Sequence, residues 1–204
     1  MDSNELLRRA STADADAVAA ILARAFADDP VYLWFMREHF PLDLLQDHFR
    51  HEVGDYLDSA EVYLATGGAG AALWRPAPGA QPSPLAGLLR AMPALARYTG
   101  PLRLRRLWDL IRATEARYPR EPHRYLYLVG VEPEHQGRGV GSALIRAGLE
   151  ACDRDRLPAY LESSKARNVP LYVKHGFRVV ERLDLGRRGP SLWLMWRDAP
   201  EPPA

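Results

Sequence analysis

The apolar positions change period along the chain, and each change marks an element. Val18, Ile21, Leu22, Ala25 and Phe26 keep the i, i+3, i+4, i+7, i+8 spacing of a helix with one buried stripe. Thr12 stands where its N-cap belongs. Residues 5–10 precede it as a short strand, and Asp29-Pro30 ends or bends the helix. Residues 31–57 are aromatic-rich and helical in pattern, divided by Pro41. Residues 61–65 and 71–75 read as a hairpin, and four prolines at 76, 78, 82 and 84 mark a loop. Two helices are predicted over 85–98 and 102–118, split by Gly100-Pro101. The pattern then sharpens into an apolar strand at 124–131, a glycine-rich turn, a helix at 139–153 and a strand at 158–163. A short helix at 168–175 and strands near 177–185 and 190–197 complete it. A strand–helix–strand unit followed by more strands predicts an α/β (α+β) fold. Its central mixed sheet has about six to seven strands flanked by helices, with a helical insertion around 85–118. One domain over 1–198 is expected, with a disordered tail at 199–204.

Composition narrows the function classes. The 204 residues carry 27 bases and 26 acids, so no overall positive field favours nucleic acid or an anionic membrane. The single cysteine, Cys152, forms no internal disulfide framework or cysteine-rich zinc site, and its place on a helix reads as a small core residue. No segment approaches the ~18 apolar residues of a membrane span, and the start does not read as a signal peptide, so a cytoplasmic protein is expected. Lys165 and Lys174 are the only lysines, a skew toward arginine that suggests a GC-rich bacterial genome. The neutral total also hides a gradient: residues 1–62 carry 13 acids and 5 bases, whereas residues 97–124 carry 8 arginines and 3 acids. Arg103, Arg105 and Arg106 read as a solvated helix face. His48 and His51, even with His39, read as packing or surface residues rather than metal ligands.

Two blocks carry chemistry. In the first, the strand ends at Gly130-Val131, turns at Pro133, and runs through Gln136, Gly137, Arg138, Gly139, Val140, Gly141 and Ser142 into a helix. Three glycines let backbone approach a ligand, and the free N–H groups and positive dipole end of a helix start favour a diphosphate, with Arg138 adding a mobile charge. A P-loop is excluded because no Gly-Lys-Ser/Thr follows, and the dinucleotide fingerprint fails because the glycines run GxGxG. In the second block the strand ends at Glu162, Asn168 is placed to cap a short helix with Pro170 in its first turn, and Gly176 closes that helix before Phe177.

Gln136, Gly139 and Gly141 in a Gln-x-x-Gly-x-Gly turn, followed by Asn168, Tyr172 and Gly176-Phe177, resemble the two signatures of the GNAT superfamily of N-acetyltransferases. The resemblance is densest over 125–177 and is nearest to puromycin N-acetyltransferase-like bacterial enzymes, which implies an antibiotic-resistance setting. It implies a GNAT fold and acetyl-CoA as co-substrate, held by Val129, Gly130, Val131, the turn from Gln136 to Ser142, Asn168 and Tyr172. No metal is implied. Tyr172 matches the family's general acid toward the coenzyme A sulfur, and Glu162, with Glu132 second, is the candidate base. The acceptor implied is a small amine attacking directly in a ternary complex. A protein lysine or N-terminus, or a non-catalytic acyl-CoA-binding domain, are the alternatives. On that architecture Asp28, Asp29 and Glu52 are expected to draw in a cationic amine, and Trp34 and Trp74 fall where the acceptor site would open.

Overall fold

The computed structural model describes residues 7–36, 41–57, 61–76, 101–186 and 189–201. The helix expected over 85–98, the proline loop from 77 onward, His39 and the last three residues of the tail lie outside them. Strand β1 (Leu7–Arg9) leads through a 3-10 turn (Thr12–Asp14) into α1 (Ala15–Phe26), α2 (Pro30–Phe35) and α3 (Leu42–Tyr56). Strands β2 (Glu61–Ala65) and β3 (Gly70–Arg75) form the hairpin, and α4 (Pro101–Glu115) is the described part of the insertion. Then come β4 (Arg124–Val131), α5 (Val140–Asp155), β5 (Ala159–Ser163), α6 (Val169–Lys174), β6 (Arg178–Asp184) and β7 (Ser191–Arg197).

Two local expectations change in detail. Ser11, not Thr12, precedes the first helical turn, and the Asp14 carboxylate accepts its backbone N–H (2.8 Å) and hydroxyl (2.9 Å). Asp29 does more than end a helix. It is buried at 1% exposure and caps α2, accepting from the N–H groups of Val31 (2.9 Å) and Tyr32 (3.4 Å), while Pro30 takes the first helical position where no N–H is needed.

The seven strands form one sheet in the order β1-β2-β3-β4-β5-β7-β6, antiparallel everywhere except between β4 and β5. That parallel pair has three rungs, Arg124 to Ala159, Tyr125 to Tyr160 and Leu126 to Leu161. Beyond Leu126, β4 pairs only with β3, and β5 continues to Ser163 along β7. The strands thus part toward their C-terminal ends.

Each sheet face has its own core. One is built on α1 and α3, with Val18, Leu22, Leu45 and Phe49 against Leu73 and Tyr160. The other is built on α5, with Leu144, Ile145 and Cys152 against Trp74, Leu161 and Met195. Two glycines set how closely the helices approach. A Cβ at Gly130 would stand 2.9 Å from the Ala25 Cβ of α1, and one at Gly148 would stand 2.1 Å from the Trp74 ring. Gly148→Ala is therefore expected to cost about 1–3 kcal/mol through overpacking. Adding Trp74→Leu should recover part of that loss, since both changes act on one volume. Urea unfolding of the two single variants and the double variant measures both effects.

Candidate active site

Where β4 and β5 separate, the molecule holds a cleft of about 590 Å³. One wall is β4 from Leu126 to Val131 with the end of α1, and the other is the end of β5 with the segment leading into α6. Its mouth is the glycine turn. Gly137 and Gly139 take positive φ (74° and 85°), which favours glycine, and the Gln136 side-chain amide donates to the Val131 carbonyl (3.1 Å) to close the turn. Gly139 in the left-handed region turns the chain directly into α5, so the first turn of that helix, Val140, Gly141 and Ser142, lines the cleft. Val129, Gly130, Val131, Gln136, Gly137, Gly139, Val140, Gly141, Ser142, Asn168 and Tyr172 all line the cleft. Arg138 does not: its side chain is exposed outside the wall. Asn168 lies at the start of α6, but its side chain makes no capping hydrogen bond.

Tyr172 and Glu162 share the cleft. Tyr172 is buried, packs edge-on to Phe177, and its phenol is pushed up above the usual tyrosine range by burial and then by the Asp29 charge. It stays protonated at neutral pH and is a donor. Glu162 accepts the Tyr160 hydroxyl at 3.0 Å, and burial raises its carboxyl to about 7 against the opposing effects of that hydrogen bond and of the Arg75 charge. A carboxyl poised near neutrality can accept a proton and return it.

Glu132 is corrected from base candidate to structural residue. Its carboxylate is buried and engaged by Arg24 at 2.9 Å from Nε and 2.5 Å from Nη2, tying α1 to the end of β4. Asp28 faces two cations, Lys165 and Arg167 (2.7 Å), and is not in the cleft wall. An acid so neutralised exerts little outward pull on a cationic acceptor. Asp29 does line the cleft, but its carboxylate is spent on the α2 cap and on the Ser164 hydroxyl. Glu52 lies behind the wall and accepts the hydroxyl of cleft-lining Tyr127 at 2.5 Å.

Trp74 is fully buried under α5 at Gly148, because β3 lies inside the sheet and turns that side chain away from the cleft. Trp34 is also off the wall, held by Arg106, which donates to its carbonyl (2.8 Å) and lies 5.6 Å from its ring. Arg106 is therefore a link from α4 to α2 rather than part of a solvated face. His48 packs against Tyr32 and Phe49, and burial raises the Cys152 thiol to about 12, which makes it inert. The sequence reading missed Phe26 and Tyr127, which carry the aromatic wall, and the Asp28–Lys165–Arg167 cluster. A short-range signal existed only for Asp29, in the Asp-Pro step.

The glycine turn, the helix start and the parting of β4 from β5 fit an extended, diphosphate-bearing thioester. The family model described as Acetyltransferase (GNAT) family matches residues 97–177. An uncharacterized N-acetyltransferase of Schizosaccharomyces pombe is 30% identical over 191 residues, covering 88% of this chain and 77% of that protein. A mycothiol acetyltransferase of Saccharomonospora viridis is 35% identical over 74 residues, and the match spans 24% of that enzyme. Among solved structures, a Corynebacterium glutamicum protein described as histone acetyltransferase HPA2 and related acetyltransferase superposes with a TM-score of 0.72 at 25% identity, covering 98% of both chains. Arylalkylamine N-acetyltransferase 2 of Aedes aegypti shares the fold, with a TM-score of 0.68 at 15% identity over 94% of this chain and 97% of that one. These likenesses establish the family rather than a puromycin-type subgroup: the chain belongs to the GNAT acetyltransferases and is an N-acetyltransferase.

Proposed function

We propose that the protein transfers an acetyl group from acetyl-CoA to the primary amine of a small molecule, by direct attack within a ternary complex. The observation that carries this reading is the presence in one cleft of a carboxyl raised to about 7, Glu162, and a buried protonated phenol, Tyr172. An ammonium cannot attack a carbonyl, so Glu162 takes its proton. The amine then bonds to the acetyl carbon as the carbon–sulfur bond breaks, Tyr172 gives its proton to the departing sulfur, and the second proton shed by the acylated nitrogen restores the phenol. The β4 backbone beyond Leu126 has no β5 partner, which leaves it able to pair with the pantetheine arm and polarise the thioester carbonyl. Phe26 and Tyr127 make the acceptor end aromatic. A protein acceptor is the second reading, favoured by the likeness to the Corynebacterium glutamicum protein. A thiol-release assay with acetyl-CoA against puromycin, aminoglycosides, polyamines, arylalkylamines and lysine peptides decides between them. Absence of both acetyl-CoA binding and coenzyme A release would overturn the proposal.

Two variants test the roles. Tyr172→Phe should lower turnover about 10²-fold or more, while acetyl-CoA affinity changes little. Steady-state kinetics beside calorimetric binding separates the two quantities, and an unaltered rate removes Tyr172 from the chemistry. Wild-type kcat/KM should rise with pH along a limb centred near 7, and Glu162→Gln should abolish that limb. The same raised carboxyl has a stability signature. The folded state holds the proton more tightly than the unfolded state, so Glu162 lowers stability as pH rises from about 4.5 to about 7, and Glu162→Gln should melt higher than wild type at pH 8.

A further inference from the structure

A contact beside the glycine turn is not used by the proton transfers above. His175, at the C-terminal end of α6, places its Nε2 3.1 Å from the Ser142 hydroxyl in the first turn of α5. Ser142 lines the cleft and His175 stands behind it. We propose that His175 is a positioning residue for the diphosphate of coenzyme A, acting through Ser142 so that cofactor binding takes up a proton. This rests on the reading of the glycine turn as the diphosphate site.

Donors and acceptors decide what Ser142 can offer a phosphate. When Nε2 carries no proton it accepts the Ser142 hydroxyl, and that hydroxyl is turned away from the cleft. When Nε2 carries a proton it donates to the Ser142 oxygen, and the hydroxyl hydrogen is free to point at a phosphate oxygen. The imidazolium always meets the second condition and adds a positive charge behind the site. In the free protein that charge is disfavoured. The charged groups bearing on the ring are Arg146 from α5, Lys174 from α6 and Arg197 from β7, all cations, and together with burial they hold His175 below its ordinary value. Arg197 also pairs with Asp153 at 2.8 Å, which fixes its position. A diphosphate at the turn adds negative charge on the far side of Ser142, offsets those cations and draws a proton onto the ring. Proton uptake on binding means that affinity rises as pH falls through the imidazole range.

The ligand 3′-dephospho-CoA isolates this effect, because it lacks the 3′-phosphate that titrates over the same range. Calorimetry at pH 5.5, 6.5 and 8 should show wild-type binding about three- to tenfold tighter at pH 5.5 than at pH 8. Proton uptake should appear as a dependence on the buffer's ionisation enthalpy. His175→Gln, which keeps an amide N–H able to donate to Ser142, should bind with nearly the same affinity at every pH. Ser142→Ala should bind more weakly and lose most of the pH slope. The slope is a ratio taken within one variant, so a small loss of stability does not imitate it. An unchanged slope in His175→Gln overturns the proposal and leaves the coenzyme A reading standing. Absence of 3′-dephospho-CoA binding to wild type at any pH overturns that reading and the proposal with it.

Discussion

Three rungs of parallel pairing join β4 to β5, and the fourth is missing. In a closed sheet the ladder between the two strands would continue, whereas here β4 from Tyr127 onward lines a cleft. The gap stays open because each wall is anchored elsewhere. β4 runs along β3 from Tyr125 to Val131, with one register shift between Leu73 and Trp74, and is tied to α1 by the buried Glu132 and Arg24, while β5 is paired with β7 to its last residue. Gly130 lets α1 come within contact of β4 at the point of separation. A ligand seated at this place would lie between two strands whose positions the rest of the sheet has already set.

Charge is distributed for construction more than for attraction. Part of the acidic excess of residues 1–62 is offset by cations from later in the chain: Glu61 pairs with Arg124, and Asp28 with Lys165 and Arg167. The two cations on Asp28 join the corner between α1 and α2 to the segment that leads into α6. The Asp29–Ser164 contact makes a second stitch across the same junction. What began as a gradient along the sequence becomes a set of ties between segments distant in the chain. Glu162 stands apart, in the cleft with a neutral phenol as its hydrogen-bond donor.

Elements whose signal is local were legible in the sequence. The strand at 124–131, the glycine turn and the helix after it appear within one or two residues of their expected bounds, because their glycines and apolar period act over a few residues. The placement of Tyr172 and Glu162 in one cleft with the turn likewise follows from two signatures and the spacing between them. The fate of Trp74, Glu132 and Asp28 was not legible. Each is decided by a partner far away in the chain, respectively Gly148, Arg24 and the Lys165–Arg167 pair, and no local pattern announces such pairings. The aromatic wall of the cleft is hidden for the same reason, since Phe26 and Tyr127 come from different elements and read individually as core residues.

The carbonyl of Tyr172 accepts the N–H of His175 at 2.9 Å and that of Phe177 at 3.1 Å, so the residue holding the phenol also closes α6 and launches β6. β6 is the last strand of the sheet, and most of its side chains are exposed. Edge elements with few buried contacts open at a smaller free-energy cost than the core does. Tyr172, the proposed acid, is therefore joined through its backbone to an edge strand of the sheet, while the glycine turn leads into a helix with one side deeply buried. Loosening of that edge reaches the phenol directly, through the two backbone hydrogen bonds that Tyr172 accepts.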